Sequence, residues 1–268
     1  MPQLGWVDIE VARQYVSAVT QLLAQVGMQA AQISAVGAHG QTVFHQPTGT
    51  HPFTLQLGDG NTMAVGTGIP TVTDFRRRDM ALGGQGAPLA CIFHEQMFRH
   101  PSETRVVLNL GGIANVTILA PQAPTWGFDT GPANILMDAW IHRHQGLLYD
   151  AQGAWAASGQ VDEALLHAML QEPYFQVAAP KSTGRELFNA AWLDSLLSQH
   201  AKVAAQDVQR TLLELTARSV AQQIQTQAAG GALLVCGGGA HNSLLMARLQ
   251  ALCPPWQVRS TQAYGVAP

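Results

Sequence analysis

Charge is scarce in this sequence. It carries 14 Lys and Arg against 17 Asp and Glu in 268 residues, a net charge of −3. Arg76-Arg77-Arg78 is the longest basic run, so neither a nucleic-acid face nor a basic membrane-surface helix is expected. Cysteine is almost missing: Cys91, Cys236 and Cys253 share no Cys-x-x-Cys spacing, which excludes a disulfide scaffold and favours buried thiols in a reducing compartment. No apolar stretch is long enough to span a bilayer. MPQLGWVDIEVARQ lacks the basic and apolar regions of a signal peptide. A cytoplasmic location is therefore expected. The histidines at 45, 51, 94 and 100 lack metal-ligand spacing, and no protein-held metal is expected. Low-complexity linkers are absent too.

What is present is apolar: 47% of residues are hydrophobic, enough for a globular chain with a sizeable core. Strand and helix patterns interleave, so the fold class is α/β. Asp8 is placed to cap a helix reaching Val26, with Tyr15, Val19, Leu22 and Val26 on one face. Residues 33–40 read as a short buried strand running into a glycine-broken loop, 52–58 and IPTVTDF, ending at Asp74, as strands, and residues 87–100 as a helix. Residues 104–119 form two apolar runs around Gly111-Gly112, a hairpin that starts a second sheet. Helices are expected near 135–145, 161–171, 186–199 and 207–227, then a strand over GALLVC and a helix over NSLLMARLQAL. The junction is placed near Pro101, giving lobes at 1–102 and 103–268.

Several segments have the composition of a site. GFDTGPANILMDAW (127–140) holds one Asp-Thr-Gly turn, at Asp129. An aspartic peptidase would need a second such turn, because its two carboxylates share a proton, and none is present. Read alone, Asp129 is equally a turn or helix-cap aspartate. DFRRRDMALGGQGAPL (74–89) follows a strand as a loop, and its guanidinium forks suit carboxylate or phosphate oxygens. NLGGIAN (109–115) places glycines at a hairpin tip, where backbone N–H groups can hold a phosphate. Gly237-Gly238-Gly239, between strand and helix, fits neither dinucleotide nor P-loop spacing, yet admits close backbone approach by a ligand. His39, Gln41, Lys181, Ser182 and Thr183 lie in polar, glycine-bearing loops and could touch a sugar or a phosphate. Each of these features also has an ordinary turn or surface reading.

Together, AHGQT, TDFRRRDMALGGQGAPL, LNLGGIANVT, GFDTGPANILMDAW, PKSTGRE and CGGGAHN resemble the anhydro-N-acetylmuramic acid kinase family, in order, from about residue 33 onward. The resemblance implies an actin-like, sugar-kinase fold: two ribonuclease-H-like lobes with an interlobe cleft, the first lobe incomplete here. It also implies a reaction. Water opens the 1,6-anhydro bond of 1,6-anhydro-N-acetylmuramic acid while O6 takes the γ-phosphoryl of ATP, giving N-acetylmuramic acid 6-phosphate in cell-wall recycling. ATP and Mg²⁺ are the implied cofactors and a small sugar the implied partner.

By resemblance Asp129 is a lone general base. Arg76, Arg78, Asp79, Gly83, Gly84 and Gly86 match the family's sugar-side loop, with His39 and Gln41 assigned beside them. Gly111 and Gly112 match the phosphate-contacting hairpin, and Gly237, Gly238, Gly239 and Asn242 the adenosine-side turn. Two departures stand out. The family's Gly-Thr-Ser-x-Asp-Gly hairpin does not precede Gly37, and the helix expected after YGVAP is absent. The sequence therefore reads as truncated at both ends, with trace kinase activity at most expected. The competing reading is an inactive sugar- or nucleotide-binding fragment. An incomplete lobe would also expose apolar surface and self-associate, a homodimer being the simplest outcome.

Overall fold

The computed structural model describes residues 2–227 and 229–268. They fall into two compact units, Met1–Leu89 and Ala90–Pro268. The first opens on helix α1, Pro2–Val26. The helix starts six residues before Asp8, so that carboxylate caps nothing. It lies inside the helix and accepts from the N–H of Gly58 at 2.6 Å. The predicted apolar face is only partly covered: Ala12 is buried, Tyr15 and Val16 pack with it, and Leu22 and Val26 stay exposed.

Strands β1 (Val36–Gly37), β2 (Gln41–Gln46) and β3 (Phe53–Leu57) follow, then helix α2 (Gly60–Thr67) and strand β4 (Thr71–Val72). β1 pairs in parallel with β4, and β2 antiparallel with β3. Gln41, expected in a loop, begins β2. The strand expected to reach Asp74 covers only Thr71–Val72. Phe75–Ala81, expected as loop, is helix α3. Its arginines are good helix formers, and a loop reading based on charge alone misses that.

Helix α4 (Cys91–Phe98) opens the second unit. Phe98 packs with Val107, Leu119, Ala232 and Leu234 beneath the sheet that follows. That sheet contains β5 (Arg105–Leu110), β6 (Ile113–Leu119), β7 (Trp126–Pro132), β8 (Gly231–Cys236) and β9 (Trp256–Ser260). Its order is β7-β6-β5-β8-β9. The first three strands are antiparallel, while β8 and β9 run parallel to β5. This is the mixed sheet expected of a ribonuclease-H-like α/β unit. β7 was not expected. Its Gly-Phe-Asp-Thr-Gly reads as a turn, yet it pairs with β6 over Trp126–Pro132.

The other face of the sheet carries α5 (Asn134–Gln145), α6 (Ala154–Ala157), α7 (Glu163–Leu170), α8 (Ala190–Leu197), α9 (Ala205–Gln225) and α10 (Ser243–Leu252). α9 is the spine, packed against β7, α5, α6, α7 and α10. Val208, Leu212, Leu215, Val220 and Ile224 of α9 enter one large core with strand residues such as Val106, Leu108, Phe128 and Val235. No described helix is long and apolar enough to cross a membrane.

Candidate active site and nucleotide cavity

Asp129 sits in β7, opposite Asn115 of β6, just past an irregularity between Ala114 and Asn115. It is 8% exposed, so its carboxylate must be hydrogen-bonded to stay charged. A segment far along the chain provides for this. The N–H of Thr183 donates to Asp129 Oδ2 at 2.9 Å. In return the Asp129 N–H donates to the Lys181 carbonyl at 2.9 Å, and the Tyr174 hydroxyl to the Asp129 carbonyl at 2.7 Å. Burial, with Asp129 and Glu186 nearby, pushes the Tyr174 phenol well above its ordinary value, so it stays a donor.

Lys181 is buried. Its Nζ donates to the Tyr174 carbonyl at 3.0 Å and lies 4.6 Å from that ring's centroid. Burial pulls its ammonium below the ordinary lysine value. The buried Thr183 Oγ1 has no partner among the described residues. Asp129 is therefore braced from another segment of the chain.

The β5–β6 tip is anchored to the start of α5. The Gly112 carbonyl accepts from the N–H groups of Ala133 and Ile135 at 2.9 and 3.1 Å, and the Gly111 carbonyl from Asn134 at 3.0 Å. The Asn134 side chain adds a bond to the Leu110 carbonyl at 2.9 Å. No described hydrogen bond uses the N–H of Gly111 or Gly112. Those two donors are what a phosphate-contacting hairpin requires.

The turn after β8 lies against the same strand. Gly237 has φ of +79°, and a Cβ there would fall about 2.9 Å from the Leu110 carbonyl, so only glycine fits. Asn242 caps α10, its Oδ1 accepting from Leu245 N–H at 3.0 Å. Beside this turn lies a cavity of about 330 Å³, lined by Gly238, Gly239, Asn242, Asn134, Asp138 and Asp150 among others. Its volume suits a small ligand.

Asp150 is committed to the fold. Its oxygens accept from Trp155 and Ala156 N–H groups at 2.9 Å each, and from Gln209 Nε2 at 3.3 Å. Asp138 is half-buried and has no hydrogen-bond or ion-pair partner among the described residues. Burial, reinforced by the charge of Asp150, pushes its carboxyl up to about 6. Asp138 was not singled out from the sequence. The signal was there: Asn134, Met137 and Asp138 share one helix face at i, i+3 and i+4, directly after the Asp-Thr-Gly.

The first unit holds its own cluster. Arg76 Nε donates to His39 Nε2 at 2.8 Å, and Arg76 Nη1 to the Gly86 carbonyl at 2.6 Å. His39 Nδ1 lies 2.8 Å from the Gly40 carbonyl. This arrangement assigns the His39 proton to Nδ1, because Arg can only donate. Asp79 Oδ2 accepts the Gly86 N–H at 2.7 Å, and a Cβ on Gly84 would collide with the Asp79 carboxylate. Gly83 follows the helix with φ of +91°. Arg76, Asp79, Gly84, Gly86 and His39 thus form one hydrogen-bonded knot. Arg78 is exposed and engages no described partner, and Gln41 is exposed on β2. Neither joins the knot. Among the described residues no group of three His, Cys, Asp or Glu could hold a metal.

Among solved structures, the chain is distantly similar to the activator of the 2-hydroxyisocaproyl-CoA dehydratase from Clostridium difficile with bound ADPNP. The TM-score is 0.44 at 14% identity, over 86% of this chain and 89% of that one. Xylulose kinase from Rhodospirillum rubrum gives a TM-score of 0.42 at 12% identity, over 78% of this chain and 44% of that one. Sequence reaches further. The anhydro-N-acetylmuramic acid kinase of Pasteurella multocida (strain Pm70) is 52% identical over 266 residues, 98% of this chain and 70% of that protein. The family model described as anhydro-N-acetylmuramic acid kinase matches residues 1–268. The chain belongs to the anhydro-N-acetylmuramic acid kinase family.

Proposed function

We propose that this kinase adds water across the 1,6-anhydro bond of 1,6-anhydro-N-acetylmuramic acid and places the γ-phosphoryl group of ATP on O6. The observation carrying this reading is the Asp129 carboxylate. It is buried, and a distant backbone N–H fixes one of its oxygens. A carboxylate in that setting takes a proton from water as the water oxygen bonds to the anomeric carbon. The C1–O6 bond breaks, O6 bonds to the γ-phosphorus, and ADP leaves with the bridging oxygen. The proton ends on Asp129 and passes to solvent. One carboxylate suffices, so no second aspartate is required.

Two features support a nucleotide in the second unit. The Gly111 and Gly112 N–H groups are uncommitted, and the Gly237–Gly239 turn opens onto the cavity. Phosphoryl transfer relies mainly on positioning and charge stabilisation. A magnesium ion carried on ATP phosphates keeps most of its waters and takes one or two carboxylates at most. The described residues offer no ready-made cage for it. The knot of Arg76, His39, Asp79 and Gly86 is assigned to the sugar, whose lactyl carboxylate suits a guanidinium.

The test is turnover of ATP and anhydro sugar in ¹⁸O-labelled water. Label is expected in the anomeric hydroxyl and none in the phosphate. Asp129→Asn is expected to lower kcat at least about 100-fold while nucleotide binding persists. Label in the phosphate, or full activity in the variant, overturns the proposal.

A further inference from the structure

The cavity beside Gly238 and Gly239 contains a feature that phosphate recognition does not use. Two carboxylates, Asp138 and Asp150, border it. Their charge disfavours a phosphate there. The cavity suits instead the uncharged, donor-bearing part of a ligand.

The two carboxylates are not equivalent. Asp150 is saturated by Trp155, Ala156 and Gln209. Asp138 meets no donor from the described protein and borders the cavity. Burial and Asp150 raise it to about 6, so at neutral pH it is mostly ionised and can only accept. A ligand group that meets it must therefore bring a hydroxyl or an amine.

Helix α5 indicates which. Asn134 fixes the Gly111–Gly112 tip to the helix start. Asp138 lies four residues further on, a rise of about 6 Å. In a nucleotide whose phosphates meet the tip, the next group along the helix is the ribose. Tyr149 and Met137 line the cavity as well, offering apolar surface to a base. Acidic side chains on ribose hydroxyls are a recurrent solution in nucleotide sites.

We propose that Asp138 accepts a hydrogen bond from a ribose hydroxyl and makes this cavity selective for ribonucleotides. The inference rests on the nucleotide reading above. The experiment separates the two by titrating ADP, 2′-deoxy-ADP and 3′-deoxy-ADP into the wild-type chain and into Asp138→Ala. The wild type is expected to bind at least one deoxy analogue about tenfold more weakly than ADP. Asp138→Ala is expected to bind ADP and that analogue alike, at the weaker affinity. Asp138→Asn keeps the shape and one acceptor oxygen, and is expected to fall between. It carries the test if the alanine variant fails to fold.

Wild type that binds ADP without discriminating the analogues overturns this proposal alone. So does a variant that keeps the wild-type ratio, or one that loses ADP affinity while deoxy analogues bind the wild type normally, which would place the carboxylate on the base. Absence of any nucleotide binding overturns the nucleotide reading and this inference together.

Discussion

A half-buried carboxyl without a donor leaves a trace in stability. Asp138 is raised from 3.8 to about 6, first by burial and then by Asp150. Between those values the folded chain holds a proton that the unfolded chain has released. Stability is therefore fully present near pH 4, declines as pH rises to about 6, and is flat above. Asp138→Asn removes that slope. Thermal melts without ligand are expected to place the variant above the wild type at pH 8, by about 1 kcal/mol once solvent screening is allowed for, and level with it at pH 4. A variant less stable than wild type at pH 8 would show that a protein donor pairs with Asp138 after all. The same residue marks where sequence reading stopped. Asp129 stood out because Asp-Thr-Gly is a recognisable string. Asp138 carries only its helix spacing from Asn134 as a signal, and folding adds Asp150 and the glycine turn around it.

Elements differed in the same way. α9 and the β5–β6 hairpin were legible because each carries a strong internal pattern: a 3.6-residue apolar stripe in one, two apolar runs about paired glycines in the other. β7 was not legible. Glycine and aspartate are poor strand formers, and its strand character comes from pairing with β6, a tertiary effect that outweighs propensity. α3 was hidden for a related reason, since its sequence is dominated by charge and shows no buried stripe.

The joints between helices also rest on particular side chains. Glu214 of α9 is buried and accepts from Arg218 of α9 at 2.7 Å and from Arg248 of α10 at 2.6 and 2.9 Å. Arg218 reaches on to Glu163 of α7 at 2.9 Å. Burial alone would raise Glu214, but the hydrogen bonds from Arg248 and Arg218 outweigh it and hold the carboxyl below its ordinary 4.5. Its contribution is present above that value and lost as pH falls through the lower, folded one. Glu214→Gln is expected to cost about 2 kcal/mol at pH 7, because one partly buried guanidinium loses its counter-charge, and to flatten the acid limb of the stability curve. Denaturant melts at pH 7 and pH 3 measure both effects. An unchanged acid limb would count against the assignment.

At the scale of the whole molecule, the two units differ in how much core each has. The second buries a continuous set running from the strands through α5, α7, α9 and α10. The first centres on Ala12, Ala38 and Met63, with Trp6, Phe44 and Phe53 exposed. Stability follows buried apolar area. Hydrogen exchange is expected to be faster for amides of β2 and β3 than for those of β5 and β8 by at least about tenfold under native conditions. Equal protection would mean the first unit draws stability from something other than its own core.

The anchoring of the β5–β6 tip reaches beyond holding two elements together. The opening amides of a helix ordinarily await an anion. In α5 the N–H groups of Ala133, Asn134 and Ile135 are spent on the carbonyls of Gly111 and Gly112. Those three amides are thereby withdrawn from any oxyanion at the helix start. On the nucleotide reading, a phosphate there is met by the Gly111 and Gly112 amides, which no described carbonyl uses, rather than by the helix dipole.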